Sequence, residues 1–395
     1  MKRIIVSLML ILIVIAGLLI TFFKLTAPSF SNLDEEMEHI ISNFVKENKS
    51  IKNCVLSIMK DDGSFSWSGG AGIAYQDTQL PMTENTPIYI ASVTKLYTAT
   101  VTMRLYEEGR LSLNDPISKY LPEKIIQGIH VFEGKDYSNK ITIKHLISHT
   151  SGIADYYSEK DENGENLFEI FLKNPERLWT VNETIERVRK DLKPNFQPGT
   201  DTSYSDTNYQ LLGRIIEIIT GKPLHIVFEN YLFHPLGLKQ TWLVGQPETQ
   251  RVTFGAVADV FLKDKNINKI RTNGSYWADG DIVSTANEMI IFLKALNDGE
   301  IIRKKTLKLM HNWRKLDFPL EYGYGTMHFN LPPFLAKWIH LPPLWGHSGS
   351  TGSFLYYSKD QNIYLAGSIN QAESESKPFF GVISKVIKAV ESKNK

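Results

Sequence analysis

Ser92 and Lys95 stand three residues apart in the stretch Ala91-Ser92-Val93-Thr94-Lys95, where a helical pattern begins that runs from Leu96 to Glu108. Residues three apart share one face of a helix, so the hydroxyl and the ammonium are expected side by side. A serine hydroxyl is a weak nucleophile at neutral pH and needs a neighbouring base. A lysine in a partly dry site can lose its proton and serve as that base. The helix start adds positive potential where an oxyanion would form. Ser-x-x-Lys also arises by chance on exposed helix turns, so the motif needs support from elsewhere in the chain.

Two later stretches give that support. Pro198-Gly199-Thr200 leads to Tyr204-Ser205-Asp206, just before an amphipathic run from Asn208 to Thr220. Trp345-Gly346-His347-Ser348-Gly349-Ser350-Thr351-Gly352 opens a strand-like run. In this order the three stretches resemble the penicillin-recognising serine hydrolases, in the branch of class C β-lactamases and D,D-peptidases, whose motif logic is shared with their class A relatives. The resemblance extends over residues 33–390, through Tyr89–Pro122, Ile141–Ile153 with His149-Thr150-Ser151-Gly152, Asp279–Met289 and Gly346–Asn370. It implies that Ser92 attacks the carbonyl of an amide, lactam or ester and that Lys95 and Tyr204 share the proton traffic. A phenol acts as a base only where cations stabilise its phenolate; which of the two takes the first proton is left open. The resemblance also implies an oxyanion site between the backbone N–H groups of Ser92 and Ser350. Gly349 would let the strand backbone approach the substrate, with Ser348 beside it. No cofactor and no metal are implied.

The chain departs from the family pattern twice. Asp206 stands where asparagine is common. An ionised aspartate only accepts hydrogen bonds, so it would favour a protonated Lys95, repel a substrate carboxylate and accept from a substrate ammonium or amide N–H. His347 stands where many members have lysine. A mostly neutral histidine reads a carboxylate less strongly, and D,D-peptidases, esterases and D-amino-acid amidases of the family do carry histidine there.

These residues must be positioned by a scaffold, and the pattern suggests one. Ser31 or Asn32 is expected to cap a helix with an acidic first turn and an apolar stripe at Met37, Ile40, Ile41, Phe44 and Val45. Cys54–Lys60 and Phe65–Ala74 read as a hairpin about Asp61-Asp62-Gly63. From Ser92 to about residue 315 the texture is mostly helical, with capping boxes at Thr180 and Thr285. Strand texture returns at Tyr322–Phe329, Ser353–Ser358 and Ile363–Ile369, and a last amphipathic helix runs from Lys377 to Ser392. The expectation is an α+β fold of the β-lactamase/transpeptidase kind: an antiparallel sheet flanked by helices (29–90 and 316–395) plus a mainly helical part (91–315), together one domain over 29–395.

Ahead of that domain, residues 4–23 are apolar but for Ser7 and Thr21 and follow Lys2 and Arg3. Twenty helical residues span about 30 Å, the thickness of a bilayer core. A membrane signal-anchor over 1–28 is expected, with the remainder outside the cytoplasm; cleavage as a signal peptide is the alternative, with a secreted product.

The 395 residues carry a formal net charge of +1, and without residues 1–24 the balance is about −2. That gives no general field for nucleic acid. Cys54 is the only cysteine, which excludes an intrachain disulfide and a thiolate metal cluster. His145 and His149 have a possible metal spacing, but no third ligand is evident, and bracing a turn is the simpler role. No Gly-x-Ser-x-Gly elbow is present. The apolar, proline-rich stretch Asn330–Trp345 suits a lid, a substrate wall or a membrane-facing patch, with a plain strand connection against the sheet as the first expectation. The function expected is an extracytoplasmic serine hydrolase resembling a D-alanyl-D-alanine carboxypeptidase, acting on D-amino-acid peptides such as peptidoglycan stem peptides or on related amides and esters. A β-lactamase or esterase is the alternative within the family, and a non-catalytic binder of cell-wall peptide the alternative outside enzyme chemistry.

Overall fold

The computed structural model describes residues 30, 32–245, 256–271 and 274–393. The expected anchor over 4–23 lies outside the described residues. Among the described residues no helix is long and apolar enough to cross a membrane.

The elements that place the site are, in chain order, α1 (Leu33–Glu47), β1 (Asn53–Lys60), β2 (Ser66–Tyr75), β3 (Leu80–Pro81), α2 (Thr94–Glu107), α3 (Asp206–Thr220), α4 (Ala286–Asp298), β4 (Arg314–Lys315), β5 (Leu320–Tyr322), β6 (Met327–Phe329), β7 (Leu344–Ser348), β8 (Ser353–Ser358), β9 (Ile363–Ser368) and α5 (Ser384–Lys393). The strands form a nine-stranded sheet in the order β4-β5-β6-β7-β8-β9-β1-β2-β3. β1 pairs antiparallel with β9 through Val55 opposite Ser368, so the two ends of the chain join in one sheet. The period of two along β1 sends Cys54, Leu56 and Ile58 to the face covered by α1 and α5, and Val55 to the opposite face. Cys54 is fully buried and its thiol is pushed up to about 12 by that burial, which leaves it inert at neutral pH.

Asn32 caps α1, its side chain accepting from Glu35 N at 2.9 Å. α2 is buried on nearly every side, from Thr94 through Met103. Its threonines fit because each hydroxyl has a backbone partner: Thr100 donates to Leu96 O, Thr102 to Thr98 O and Thr98 to Ala278 O, at 2.7–2.9 Å, and Thr94 Oγ1 accepts from Ile282 N at 3.1 Å. The Thr180 capping box forms, but at Thr285 only half of one does. Glu288 turns away to accept from Lys239 N, Gln240 N and Thr241 Oγ1.

Two expectations about the edge of the sheet change. Tyr322–Phe329 is not one strand but β5, a turn and β6. The turn packs on α2 at Gly325 (φ +76°), where a Cβ would lie 2.0 Å from Ala99 Cβ. Asn330–Trp345 is not a plain connection either: it folds as a short helix, Pro333–Ile339. Pro333 occupies the first helical position, where its missing N–H costs nothing.

Candidate active site

Ser92 sits in a tight turn, Ala91–Val93, that runs straight into α2. Ala91 has φ +46°, an uncommon conformation for a residue with a Cβ, and the surroundings hold it there. Ser353 Oγ donates to Ile90 O at 2.7 Å and Thr351 Oγ1 to Tyr89 O at 3.0 Å. From the other side Ile90 N donates to Ile282 O at 3.0 Å. Gly349 closes the clamp: a Cβ there would lie 2.5 Å from Ile90 O. The close approach that Gly349 permits is therefore to the backbone ahead of Ser92.

Lys95 is fully buried one turn along α2. Its ammonium donates to Ser92 Oγ at 3.0 Å and to Asp279 O at 2.7 Å, and pairs with Asp206 Oδ1 at 2.6 Å. Two of the three ammonium protons meet oxygen acceptors, Ser92 Oγ and Asp279 O, and the Asp206 carboxylate adds the charge contact. Burial pulls the Lys95 pKa down, but the charges of Asp206, Tyr204 and Asp279 outweigh it and the net direction is up. The Tyr204 ring lies beside the ammonium, 5.1 Å from Nζ to the ring centre. Burial raises the Tyr204 phenol and Asp206 adds to the rise, while Lys95 and Ser92 oppose it.

Two carboxyls, Asp206 and Asp279, act on this lysine, and a third, Asp155, packs on Asp206. Asp279 is pushed well up, by burial first and then by Asp206, and its Oδ2 accepts from Tyr156 OH at 2.9 Å. Asp155 is pushed up to about 7 by the same two causes, and its Oδ1 accepts from Asp206 N at 2.9 Å. Asp206 is thus the carboxylate paired with Lys95, flanked by two carboxyls that resist ionising.

His347 was expected to face the substrate. It is instead fully buried, one layer behind the wall. Its Nδ1 lies 2.7 Å from Ser348 O, an acceptor, so Nδ1 carries the proton; Nε2 lies 3.1 Å from Tyr322 OH, whose own proton goes to Tyr209 OH. Burial, with help from Lys95, drops its pKa to about 3, and the ring is neutral at pH 7.

His145 and His149 brace structure. His145 Nδ1 faces Thr142 N at 3.3 Å in a capping arrangement. His149 Nδ1 accepts from Ser205 N at 3.2 Å, and its ring lies 4.3 Å from that of Tyr204. Burial holds it neutral, well below the usual histidine range. The residues missing from the sequence reading are Ala91, His149 as a support of Tyr204, Tyr322 and the Asp155/Asp279 pair. A buried histidine in His149-Thr150-Ser151-Gly152 was visible as a motif, but its partner 55 residues on was not.

The cleft outside Ser92 has a volume of about 440 Å³. Ser92, Tyr204, Ser348, Gly349 and Ser350 line one side; Leu316, Pro319, Leu320, Met327, Phe329, Phe379 and Phe380 make an apolar wall opposite. Asp317, Glu375 and Ser376 complete it, so the described lining holds two acids and no lysine, arginine or histidine.

A family model described as Beta-lactamase matches residues 41–379. An N-acetylmuramyl-L-alanine amidase of Bacillus subtilis is 35% identical over 350 residues, 79% of this chain and 75% of the relative. Penicillin-binding protein 4 of Amycolatopsis lactamdurans is 30% identical over 307 residues, 73% of this chain and 72% of the relative. The solved D-amino acid amidase of Ochrobactrum anthropi superposes with a TM-score of 0.73 at 25% identity, covering 92% of this chain and all of that one. Other relatives bear the names esterase, β-lactamase and D-alanyl-D-alanine-carboxypeptidase/endopeptidase.

Proposed function

The chain belongs to the β-lactamase family of serine hydrolases, and on that premise we propose that it cleaves amides of D-amino acids, in cell-wall stem peptides or smaller molecules, through an acyl-enzyme on Ser92. The observation that carries this reading is the buried Lys95 ammonium, 3.0 Å from the Oγ of Ser92, which lines an apolar cleft. Ser92 Oγ attacks the amide carbonyl, and its proton passes into the Lys95–Tyr204 pair. The tetrahedral intermediate places its oxygen toward the Ser92 and Ser350 backbone, where fixed N–H dipoles stabilise it. It collapses as the departing amine takes up a proton, and water then releases the acyl group from Ser92.

The lining ranks the substrates. A terminal carboxylate would meet hydroxyls and backbone N–H groups but no cation among the described cleft residues, with Asp317 and Glu375 nearby. Neutral amides and esters fit that field better than peptides that depend on a free carboxylate. Residues 4–23 are proposed to hold the domain on the outer side of the membrane.

Full-length protein in detergent, offered D-phenylalanine amide, D-alanyl-D-alanine and a penicillin, tests the reading. Expected are release of ammonia from the D-amide faster than from its L-enantiomer, and its loss in Ser92→Ala. A penicillin adduct mapping to Ser92 would mark the nucleophile. Equal turnover by the Ser92→Ala variant would overturn the proposal.

A further inference from the structure

The helix Pro333–Ile339 presents its side chains outward. Phe334 is 73% exposed and Trp338 78%, four residues apart on one face with Lys337 between them. Phe318, 67% exposed, lines the groove beside this helix with Pro332, Pro333 and Lys337 and the acids Asp360 and Glu391. Three large aromatics exposed on one helix and beside its groove mark a surface that meets something other than water.

The place of this cluster says what that is. Leu344 pairs with Phe329, and Ile363 pairs with both Ser358 and Lys60, so the loops after β6, β8 and β1 leave the sheet at one end. At that end His340 Nδ1 lies 2.7 Å from Glu391 Oε2, and Gln361 Nε2 donates to Glu391 Oε1 at 3.1 Å. Two residues on, Lys393 Nζ donates to Phe30 O at 3.4 Å. Phe30 is the first described residue, so the chain arrives from its N-terminal segment on the same side as the aromatic cluster. Seven Cα steps separate Phe23, the end of the apolar run, from Phe30; fully extended they reach about 25 Å. Aromatic rings with a lysine stem among them suit the headgroup layer, where rings sit between water and hydrocarbon.

We infer that the Phe334/Trp338 face of this helix, with Phe318, rests on the phospholipid headgroups of the outer leaflet beside the N-terminal anchor. The inference builds on the anchor proposed for residues 4–23. It also orients the enzyme. Phe318 lies within the segment Leu316–Leu320, which walls the cleft, and Asn330 N donates to Pro319 O at 3.0 Å. Seating the aromatic face would set the apolar wall of the cleft next to the membrane surface.

The test uses full-length protein reconstituted into phosphatidylcholine/phosphatidylglycerol vesicles whose acyl chains carry bromine, which quenches nearby tryptophan fluorescence. The seven tryptophans all lie after residue 29, so the anchor adds no signal. Expected is a quenched component that disappears in Trp338→Leu, a variant that keeps its hydrolytic rate, and that weakens in Phe334→Ser. Flotation of the vesicles is read in parallel. Protein that floats with quenching identical in wild type and Trp338→Leu would refute the membrane contact and leave the anchor standing. Protein that does not float would remove the anchor and the contact together. Shielding of Trp338 from aqueous acrylamide without quenching by brominated lipid would assign the face to a second copy of the chain and overturn the inference.

Discussion

Asp206→Asn is the substitution that probes the site most directly, because it changes one charge and almost no volume. In the resting arrangement Lys95 donates to Ser92 Oγ and Asp279 O, and its shortest contact is the 2.6 Å ion pair with Asp206. A lysine so held does not take a proton from Ser92. The pair it forms with Tyr204 has to give one up first. The Asp206 charge opposes that loss at either residue, since it raises both Lys95 and the Tyr204 phenol. Its removal therefore eases deprotonation of the pair whichever member acts as base.

The size follows from Coulomb's law. Two charges about 4 Å apart at an effective dielectric of about 20 interact by about 4 kcal/mol. At 1.36 kcal/mol per tenfold, that is roughly a thousand-fold in the ratio of neutral to charged pair. Asp279 takes back part of it: Asp206 contributes to keeping it protonated, so it can ionise in the variant and again favour the charged lysine. The expected result is a kcat/KM at pH 7 raised about tenfold or more, with the acid limb of its pH profile moved to lower pH. The assay is hydrolysis of a chromogenic D-amino-acid anilide between pH 5 and 9. An acid limb that stays in place or moves to higher pH would refute the reasoning, because Asp206 would then not be setting the protonation of the Lys95–Tyr204 pair.

His347→Gln tests the buried neutral ring. The folded protein keeps His347 unprotonated down to about pH 3, whereas the unfolded chain takes a proton below about pH 6.5, so the wild type loses stability from this group as pH falls through that window. The stability difference between the two proteins, from urea unfolding, should move in favour of the variant by about 2 kcal/mol between pH 7 and pH 5; a pH-independent difference would contradict it. Gly325→Ala meets both a positive φ and Ala99 Cβ at 2.0 Å, and should destabilise by about 3 kcal/mol while raising KM little; a melting temperature within a degree of wild type would show that the turn yields freely.

How much of this was legible in the sequence depends on how far apart the interacting residues lie. Ser92 and Lys95 are joined by helical spacing, and the hydroxyl–ammonium contact was readable from three residues' separation. Tyr204 was readable because its motif comes in order after theirs. Ala91 was not, since its strained φ is imposed by Ser353 and Thr351 more than 250 residues away. His347 was misplaced for a related reason. Alternation along β7 fixes which face of the sheet a residue meets, but α2 and Tyr322 decide whether that face is cleft or core. The helix Pro333–Ile339 was hidden by the proline pairs 332/333 and 342/343 at its two ends, although Phe334 and Trp338 already stood at helical spacing with the first pair at a permitted start.

The aspartate at position 206 raises a question of charge that the geometry answers. Adding an anion to a buried site that already holds Asp155 and Asp279 would be expected to destabilise it, because buried like charges repel strongly. The site avoids this by not ionising all three. Burial and the Asp206 charge push Asp155 up to about 7 and Asp279 well above its ordinary value, so both resist ionising beside the Asp206–Lys95 pair. Tyr156 and the backbone N–H of Asp206 supply hydrogen bonds that these two carboxyls accept in either state. An aspartate is accommodated here because its neighbours release their charge, and a Lys95 held so firmly charged is the consequence. The same balance makes the catalytic pair sensitive to any substrate group that displaces a proton or a charge near Asp206: an ammonium would compete with Lys95 for that carboxylate and leave the lysine easier to deprotonate, whereas a second carboxylate would hold it charged. The chemistry of the cleft lining and that of the buried cluster thus both support the proposed preference, for substrates without a free carboxylate beside the scissile bond.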